Sequence, residues 1–477
     1  MRLYPLLFAT ALFFGCATLP EVHPWSDTGS GTKPPSVVGA RGPLSDSAAQ
    51  SVLARLQEKG LGTDLLERHL AIEEAVAGRP LTVGNSASLL QDGPATYKAM
   101  FGAIERARDH VNLEFYIIEH GEIGERLADL LLRKRAQGVA VNLIYDAVGS
   151  LGTPPEYFER LRAAGVNVLE YNPVNPLKAR TGWRINNRDH SKLVVVDGTV
   201  AFTGGINISD VYSSGSSPGS ASGASRRDSR NGSFSSGRTR RGGGDTGDVG
   251  WRDVNVRVEG PAVAELQRLF LDTWAAQQGT SLPQRNWFPA MKAPGSQPLR
   301  VISSGPEDPV PAIYVALVSA IAHAEKSVHI TMAYFVPDEQ TMEALKNAAA
   351  RGVDVTLVLP SYTDFWAVFH AGRSHYAELL ESGVRIYERQ AALLHSKTVV
   401  IDGVWSTVGS SNMDWRSFLH NKELNVVVLG WDFGRQMEVM FTADLKESVR
   451  IDPEAWARRP LQLRMKEWAA RAWAYWL

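Results

Sequence analysis

An internal repeat constrains the fold of this 477-residue chain more than any other feature of its sequence. In each copy, apolar strand-like segments alternate with amphipathic helical segments. The first strand of each copy lies at residues 111–117 and at residues 328–335. Apolar strands that alternate with helices are typical of α/β units with largely parallel pairing. Two copies therefore predict two α/β lobes related by a pseudo-twofold axis, with a site between them.

A polar motif occurs once in each copy with identical spacing. It consists of a histidine, a lysine two residues later, an aspartate seven residues later and an asparagine seventeen residues later: His190, Lys192, Asp197 and Asn207, then His395, Lys397, Asp402 and Asn412. Residues i and i+2 of a strand point to the same face, so each histidine is predicted to share a face with its lysine. A single His-x-Lys is usually a coincidence, but a matched pair in matched repeats indicates a site.

The residue types of this motif suit the chemistry of a phosphodiester. A histidine with a pKa near ~6.5 is a nucleophile when neutral and a proton donor when charged, so two facing histidines can divide these roles. The lysines supply positive charge and the asparagines supply neutral donors for anionic oxygens. A zinc site at the two histidines would need further ligands that the spacing does not provide. We expect neither a metal nor a cofactor.

The charge balance argues against a nucleic-acid partner. The chain has 50 Lys and Arg against 51 Asp and Glu, whereas proteins that bind polyanions are usually strongly basic. The sole cysteine, Cys16, excludes an intramolecular disulfide.

The position of Cys16 is informative. It follows Arg2 and an apolar stretch at residues 3–14, a pattern typical of a secretory signal and too short to span a bilayer permanently. Residues 13–16 resemble a bacterial lipoprotein box. We therefore expect a lipid anchor at Cys16 and a location in the bacterial cell envelope, on a membrane and facing the periplasm. A plain signal peptide or an uncleaved anchor is the alternative.

Composition and pattern also predict the domain organisation. The predicted parts are a signal at 1–16, a flexible tether at 17–44, a helical segment at 45–79, a first lobe at 80–297, a second lobe at 298–460 and an amphipathic C-terminal segment at 461–477. Residues 213–248 are mostly Ser, Gly and Arg, which predicts a disordered insertion in the first lobe. Its arginines suit anionic headgroups or nucleic acid, but a solvated loop is the interpretation we favour.

The C-terminal segment combines aromatic and basic residues, as helices at a membrane interface do. Packing against the body of the protein fits its spacing equally well.

The duplicated motif resembles the signature of the phospholipase D superfamily. Further stretches resemble the bacterial cardiolipin synthases within it, at residues 84–85, 89–93, 113–117, 145–150, 186–190, 251–253, 259–263, 304–306, 334–338 and 409–417. The resemblance extends from about residue 80 to the C-terminus. It implies two α/β/α lobes with the active site at their interface, and phosphatidyl transfer through a covalent phosphohistidine.

The resemblance also implies residue roles. We assign His190 as the nucleophile and His395 as the general acid and base, although the sequence fits the reverse equally. The residues implied to hold the phosphate oxygens are Lys192, Lys397, Asn207 and Asn412. A carboxylate downstream of each motif orients a histidine in the family, and Asp253 and Glu423 stand at those positions. We interpret Asp197 and Asp402 as structural supports.

The leading hypothesis for the reaction is the joining of two phosphatidylglycerol molecules into cardiolipin with release of glycerol at a membrane surface. The motifs do not encode the acceptor, so hydrolysis or exchange with another alcohol stays open. A superfamily nuclease fits less well, because the simple bacterial type carries one motif per chain and dimerises. A non-enzymatic lipid-binding relative fits poorly, because both His-Lys pairs are intact. Two motifs in one chain predict a monomer that forms an intrachain pseudo-dimer.

Two features depart from the family pattern. The commonest cardiolipin synthases begin with two transmembrane helices, where this chain has the signal-like segment. The insertion also lies between Asn207 and Asp253, where it would gate the site or loop away from it.

Overall fold

The computed structural model describes residues 18–22, 36–58, 69–175, 177, 183–214 and 250–473. The predicted signal at 1–16 with Cys16, nearly all of the insertion at 213–248 and the last four residues of the C-terminal segment lie outside these ranges.

The strands are, in chain order, β1 Val37–Gly39, β2 Gly42–Pro43, β3 Leu81–Leu90, β4 His110–Phe115, β5 Ala140–Asp146, β6 Asn167–Tyr171, β7 Arg188–Asp189, β8 Lys192–Val196, β9 Val200–Gly204, β10 Trp251–Arg252, β11 Asn255–Glu259, β12 Gln297–Ser304, β13 Ser327–Met332, β14 Asp354–Pro360, β15 Arg385–Arg389, β16 Leu393–Leu394, β17 Lys397–Ile401, β18 Trp405–Gly409, β19 Asn421–Leu429 and β20 Ser448–Arg450.

The helices are α1 Asp46–Glu58, α2 Leu70–Ala77, α3 Gly93–Arg106, α4 Glu122–Ala136, α5 Pro155–Ala163, α6 Ala262–Ala276, α7 Ala312–Ala322, α8 Glu339–Ala350, α9 Trp366–Arg373, α10 Tyr376–Glu381, α11 Trp415–Leu419, α12 Trp431–Lys446, α13 Pro453–Ala457 and α14 Leu461–Arg471. Several begin at an aspartate whose carboxylate accepts a backbone N–H of the first turn, as Asp92 does for α3 and Asp414 for α11. None of the helices in the described ranges is long and apolar enough to cross a membrane.

The two copies fold into two sheets with the same strand order. The first sheet runs β3–β11–β9–β8–β4–β5–β6, and the second runs β12–β19–β18–β17–β13–β14–β15. Helices lie between the strands in sequence and cover the sheets. The predicted fold class, two repeated α/β/α lobes with pseudo-twofold symmetry, is confirmed.

Parallel pairing is less extensive than the sequence predicted. Within the two strand orders just given it is restricted to β4–β5–β6 and β13–β14–β15, and the other neighbours pair antiparallel. Short parallel pairs outside these orders are β1–β3, β7–β19 and β10–β16. The difference arises at the ends of β8 and β17, the strands that begin with the two lysines. There the chain turns back tightly at Asp197 or Asp402, residues with φ of 52° and 53°. The next strand therefore forms a hairpin instead of a parallel crossover.

The lobes are joined along their edges and through a shared core. The long strand β3 pairs antiparallel with β11 of its own lobe and with β12 of the second lobe. A hydrophobic core between the sheets combines Val256 of β11, Val426 of β19, Phe270 of α6 and Met437 of α12, all buried. Each lobe also has its own core beneath its outer helices. This packing holds the two motif-bearing strands, β8 and β17, in fixed positions.

Candidate active site

Crossed strand pairing brings the two motif histidines together at the lobe interface. The short strand β7, just before His190, pairs parallel with the start of β19 in the other lobe. The short strand β16, just before His395, pairs parallel with β10. As a result the His190 N–H donates to the Lys422 carbonyl at 2.9 Å, and the His395 N–H donates to the Arg252 carbonyl at 2.8 Å. Each histidine is thus held by backbone from the opposite lobe.

The carboxylates cross in the same way. His190 Nδ1 lies 3.0 Å from Glu423 Oε1, and His395 Nδ1 lies 2.6 Å from Asp253 Oδ2, with both acidic side chains fully buried. The sequence placed one carboxylate downstream of each motif. In the structure each carboxylate contacts the histidine of the other motif. A carboxylate on Nδ1 fixes the ring tautomer, and Nε2 remains as the reactive nitrogen.

The two lysines are buried beside their histidines. Lys192 Nζ donates to the His190 carbonyl, and Lys397 Nζ donates to the His395 carbonyl and lies 2.9 Å from His395 Nδ1. Burial lowers the pKa of Lys192 to about 7 and that of Lys397 to about 8. An anionic ligand in the site would favour the charged form of both lysines.

The imidazoles differ in how their pKa values are perturbed. Burial, followed by the charges of Lys192 and Lys397, holds the pKa of His190 well below its usual range. Burial and Lys397 also lower the pKa of His395, but Asp253 opposes that shift. The His190 ring is therefore neutral at pH 7 and has a free electron pair for attack.

The two asparagines sit at equivalent positions after β9 and β18. Asn207 Oδ1 accepts the Ile117 N–H at 3.0 Å, and its Nδ2 lies 3.5 Å from the Tyr212 hydroxyl. Asn412 is buried, and its Oδ1 has no hydrogen-bond partner among the described residues. Their contact with phosphate oxygens stays a prediction.

Asp197 and Asp402 lie at the opposite ends of β8 and β17 from the lysines. The Asp197 carboxylate accepts the backbone N–H groups of residues 108–110, and that of Asp402 accepts those of residues 325–327. Each carboxylate therefore fixes the start of the neighbouring antiparallel strand, β4 or β13. This placement accords with structural supports.

Aromatic residues complete the site, and sequence reasoning gave them no role. The Tyr116 ring lies 5.0 Å from the His190 ring and 5.3 Å from Lys192 Nζ. Around His395, the Tyr212 hydroxyl lies 3.3 Å from Nδ1, and the Trp251 ring lies 5.0 Å away. Tyr116 directly follows β4 and Trp251 lies two residues before Asp253, and both belong to the family-like stretches. Tyr212 borders the low-complexity insertion and carried no signal.

An acidic pair, Glu114 and Asp189, lies behind His190, whereas the equivalent positions behind His395 hold Thr331 and Leu394. Lys422 Nζ donates to Glu114, lies 3.5 Å from Asp189 and donates to Ser191 Oγ at 3.2 Å. Burial and Asp189 raise the pKa of Glu114 to about 8. Behind His395 the residue equivalent to Lys422 is Arg252 of the first lobe, which instead pairs with Asp444 at 2.9 Å.

Two cavities lie near the lobe interface. A largely apolar one of about 300 Å³ is lined by Ile117, Val211, Tyr212 and Trp251, among others, and so reaches residues that contact His395. One of about 340 Å³ lies beside Lys422 and is lined by neither motif histidine. Within the described ranges no group of three or more histidine, cysteine or carboxylate side chains is arranged to hold a metal.

Comparisons with known proteins agree with this geometry. The family model "Cardiolipin synthase, PLD-like domain" matches residues 100–214 and 317–445. A cardiolipin synthase of Geobacillus sp. (strain WCH70) is 35% identical over 405 residues, which cover 84% of this chain and 74% of the relative. That of Geobacillus thermodenitrificans (strain NG80-2) is 35% identical over 406 residues, with the same shares covered.

A solved structure shows a similar fold. The phosphatidylserine synthase of Haemophilus influenzae Rd KW20 has a TM-score of 0.58 at 13% identity, and the match covers 85% of this chain and 99% of that one.

Proposed function

Because the chain belongs to the phospholipase D-like family of cardiolipin synthases, and is thus a phosphatidyltransferase that acts on phospholipids, we propose that it joins two phosphatidylglycerol molecules into cardiolipin and releases glycerol. The observation that carries the proposal is the crossed pair of histidine–carboxylate contacts at the interface of two cardiolipin synthase-like lobes.

The first half of the proposed reaction forms a phosphohistidine. Nε2 of the neutral His190 attacks the phosphorus of one phosphatidylglycerol, and a P–N bond forms as the P–O bond to the headgroup glycerol breaks. The leaving oxygen takes a proton from His395, and glycerol departs. Lys192 and Lys397 stabilise the added negative charge on the phosphate oxygens, and Glu423 stabilises the positive charge that develops on the His190 ring.

The second half reverses the roles of the groups. A headgroup hydroxyl of a second phosphatidylglycerol gives its proton to His395, now neutral, and attacks phosphorus. The new P–O bond forms as the P–N bond to His190 breaks, which releases cardiolipin and restores both histidines. Asp253, at 2.6 Å from Nδ1, stabilises the imidazolium form of His395 that this step regenerates.

The assignment of His190 as nucleophile has an electrostatic basis. Its pKa is held well below the usual range, so the reactive neutral form dominates near pH 7. His395 has the shorter contact to a carboxylate, which favours a protonated ring. In the reverse assignment the proton would have to come from His190, whose pKa is lowered more strongly than that of His395.

The deciding experiment is to incubate the purified full chain with phosphatidylglycerol vesicles and follow the products by mass spectrometry. We expect cardiolipin and glycerol in equal amounts, and an acid-labile phosphatidyl adduct on the peptide that contains His190. Phosphatidic acid without cardiolipin would assign the enzyme to hydrolysis and overturn the synthase proposal. Absence of turnover of any phospholipid would overturn the lipid reaction itself.

We also propose that lipidation of Cys16 anchors the chain to a cell-envelope membrane with its folded part in the periplasm. Support comes from the signal-like residues 1–15 and the small residue before the cysteine. Mass analysis of the mature N-terminus tests this proposal: a diacylated Cys16 is expected. A mature chain that starts after Cys16 would contradict it.

A further inference from the structure

We propose that the loops around the active site and one face of α14 form a single surface that docks on an anionic phospholipid bilayer. The inference rests on the proposed function and adds to it the route by which the site reaches its substrate. The surface, called the docking rim below, comprises Val148, Leu151, Val211, Phe365, Trp366, Met465 and Trp468.

The distribution of exposed apolar side chains is the first observation. Among the described residues, large hydrophobic side chains that are exposed lie mostly on loops after the carboxyl ends of strands, or on and just after α14. The exceptions are Trp366, the first residue of α9, together with Phe288, Val439 and Val449. Clustered exposure of this kind marks an interaction surface, whereas single exposed residues do not. The parallel strands of both lobes end at the active site, so the cluster surrounds it.

In the first lobe, residues of the docking rim lie close in sequence to the tyrosines beside the two histidines or to residues that contact these tyrosines. Val148 and Leu151 flank Gly149, whose backbone packs so closely on Tyr116 that a Cβ would lie 2.2 Å from its carbonyl oxygen. Tyr116 in turn contacts His190. Val211 precedes Tyr212 and lines the apolar cavity that extends to Trp251. A lipid at this rim therefore lies beside residues that contact the histidines, Tyr116 at His190 and Tyr212 at His395.

In the second lobe, α9 and α14 extend the rim. Phe365 and Trp366 follow Asp364, which accepts a hydrogen bond of 2.5 Å from the Tyr334 hydroxyl. The Tyr334 ring lies 6.2 Å from the His395 ring. Helix α14 packs on α9, and Ala470 is buried against Val336, Val368 and Ala371.

Helix α14 carries apolar side chains on two opposite faces. One face packs against the protein and the other is exposed. Leu463, Glu467 and Ala470 are buried, and Glu467 is paired with Arg459. On the other face Met465 is 63% exposed and Trp468 is 78% exposed. The two interpretations of the C-terminal segment, binding at a membrane interface and packing against the body of the protein, thus apply to opposite faces of one helix.

The charges beside the exposed face of α14 indicate that this face binds an anionic membrane. Every charged side chain that α14 exposes is basic: Arg464, Lys466 and Arg471. Aromatic residues among basic ones suit the headgroup layer of an anionic membrane, where rings lie at the level of the headgroups and the cations contact phosphates.

The test places a fluorescent reporter on the rim. In the full chain with Cys16→Ser, Met465→Cys is labelled with an environment-sensitive fluorophore and mixed with phosphatidylglycerol vesicles. Val439→Cys on α12, 64% exposed and also helical, is the matched control. We expect a blue shift, and quenching by brominated phosphatidylglycerol, at position 465 and neither at position 439. Responses that are equal at the two positions, or absent at 465, would overturn the proposal.

Lipid composition and activity provide the second measurement. The response at position 465 should weaken by about tenfold in affinity on phosphatidylcholine vesicles, since the basic residues lose their anionic partners. Met465→Glu with Trp468→Glu should reduce turnover on vesicles by about tenfold or more and leave turnover of short-chain monomeric phosphatidylglycerol unchanged, whereas Val439→Glu should change neither. Equal losses on both substrates would contradict docking. If the wild type turns over no phospholipid, the proposed function fails, while the reporter still decides whether the rim docks.

Discussion

The surroundings of His190 and His395 differ, although the backbone around them is the same. Both histidines receive a backbone contact and a carboxylate from the opposite lobe. The carboxylate of Glu423 is shared among three groups, because Ser410 Oγ and Asn421 Nδ2 also donate to it. The carboxylate of Asp253 receives the Val254 N–H at 2.7 Å and the His395 ring at 2.6 Å.

The origin of the difference is visible at one pair of equivalent positions. Gly205 and Ser410 both lie two residues before the motif asparagine. A Cβ at Gly205 would lie 2.2 Å from Asp253 Oδ1, so the first lobe needs a glycine there to make room for the carboxylate. In the second lobe Ser410 contributes a hydroxyl to Glu423 instead. The geometry of the pair is the same in both lobes, and different side chains give its members different electrostatics, as the two proton roles proposed above would require.

The largest expected effects come from removing the histidines themselves. His190→Ala should reduce turnover of phosphatidylglycerol by about 10⁴-fold or more, because no covalent intermediate forms. His395→Ala should cost about 10²- to 10⁴-fold, the usual contribution of a general acid and base.

A substrate with a nitrophenol leaving group separates the two roles. That group departs without a proton, so His395→Ala should still release it in a single-turnover burst and His190→Ala should not. A burst from His190→Ala alone would reverse the assignment.

Replacing the orienting carboxylates should give the next largest effects. Asp253→Asn should lower turnover by about 10²- to 10³-fold, because it removes the charge on the shorter contact.

Burial raises the pKa of Glu423 to about 7, so this side chain is neutral below that pH and ionised above it. Glu423→Gln mimics the neutral form. Its loss of activity relative to wild type should be small at pH 6 and grow to about tenfold or more at pH 8. A pH-independent ratio in the pH–rate profiles would contradict a carboxylate that titrates in this range.

Exchanging the small residues tests whether their difference matters. Gly205→Ser should displace the Asp253 carboxylate and lower turnover by about tenfold to 100-fold. Ser410→Gly removes one hydrogen bond to Glu423, should cost less than about tenfold, and should move the Glu423-dependent step of the pH–rate profile upward. Equal effects of the two substitutions on turnover would show that the local asymmetry has no functional consequence.

The smallest effect is expected at the acidic pair behind His190. Below pH 4.5 Glu114 is protonated in both the folded and the unfolded chain, so Glu114→Gln should change the free energy of unfolding at pH 4 by less than about 1 kcal/mol. The folded-state pKa lies above the unfolded one, so wild-type stability contributed by this group falls as the pH rises toward 8. The variant should therefore become relatively more stable between pH 6 and pH 8, as urea unfolding at each pH would measure. A variant that becomes relatively less stable over that range would show that Glu114 is ionised in the fold.

The sequence was sufficient to predict the two-lobed fold and the residues that meet. The repeat predicted the lobes, and the identical spacing in both motifs predicted that His190 and His395 share a site. These features depend on local periodicity and on symmetry, both of which one sequence contains.

The crossing of Glu423 and Asp253 between the lobes could not be predicted in the same way. It depends on the register of β7 against β19 and of β10 against β16, pairings of two residues each that leave no periodic signal. The contact of Tyr212 with His395 depends on the same long-range placement. The extent of parallel pairing was overestimated because β8 and β17 are buried on both faces and read as continuous apolar runs, as parallel strands do.

The crossed contacts have a consequence for the timing of activity as the chain is made. His190 receives its carboxylate from a residue 233 positions later. At typical rates of synthesis that interval takes roughly 10 to 50 s, during which the first lobe has His190 but not the carboxylate that contacts its ring. The proposed reaction therefore starts only after nearly all of the chain has been made. A product truncated before Glu423 would contain the first histidine–lysine motif without the carboxylate that contacts His190.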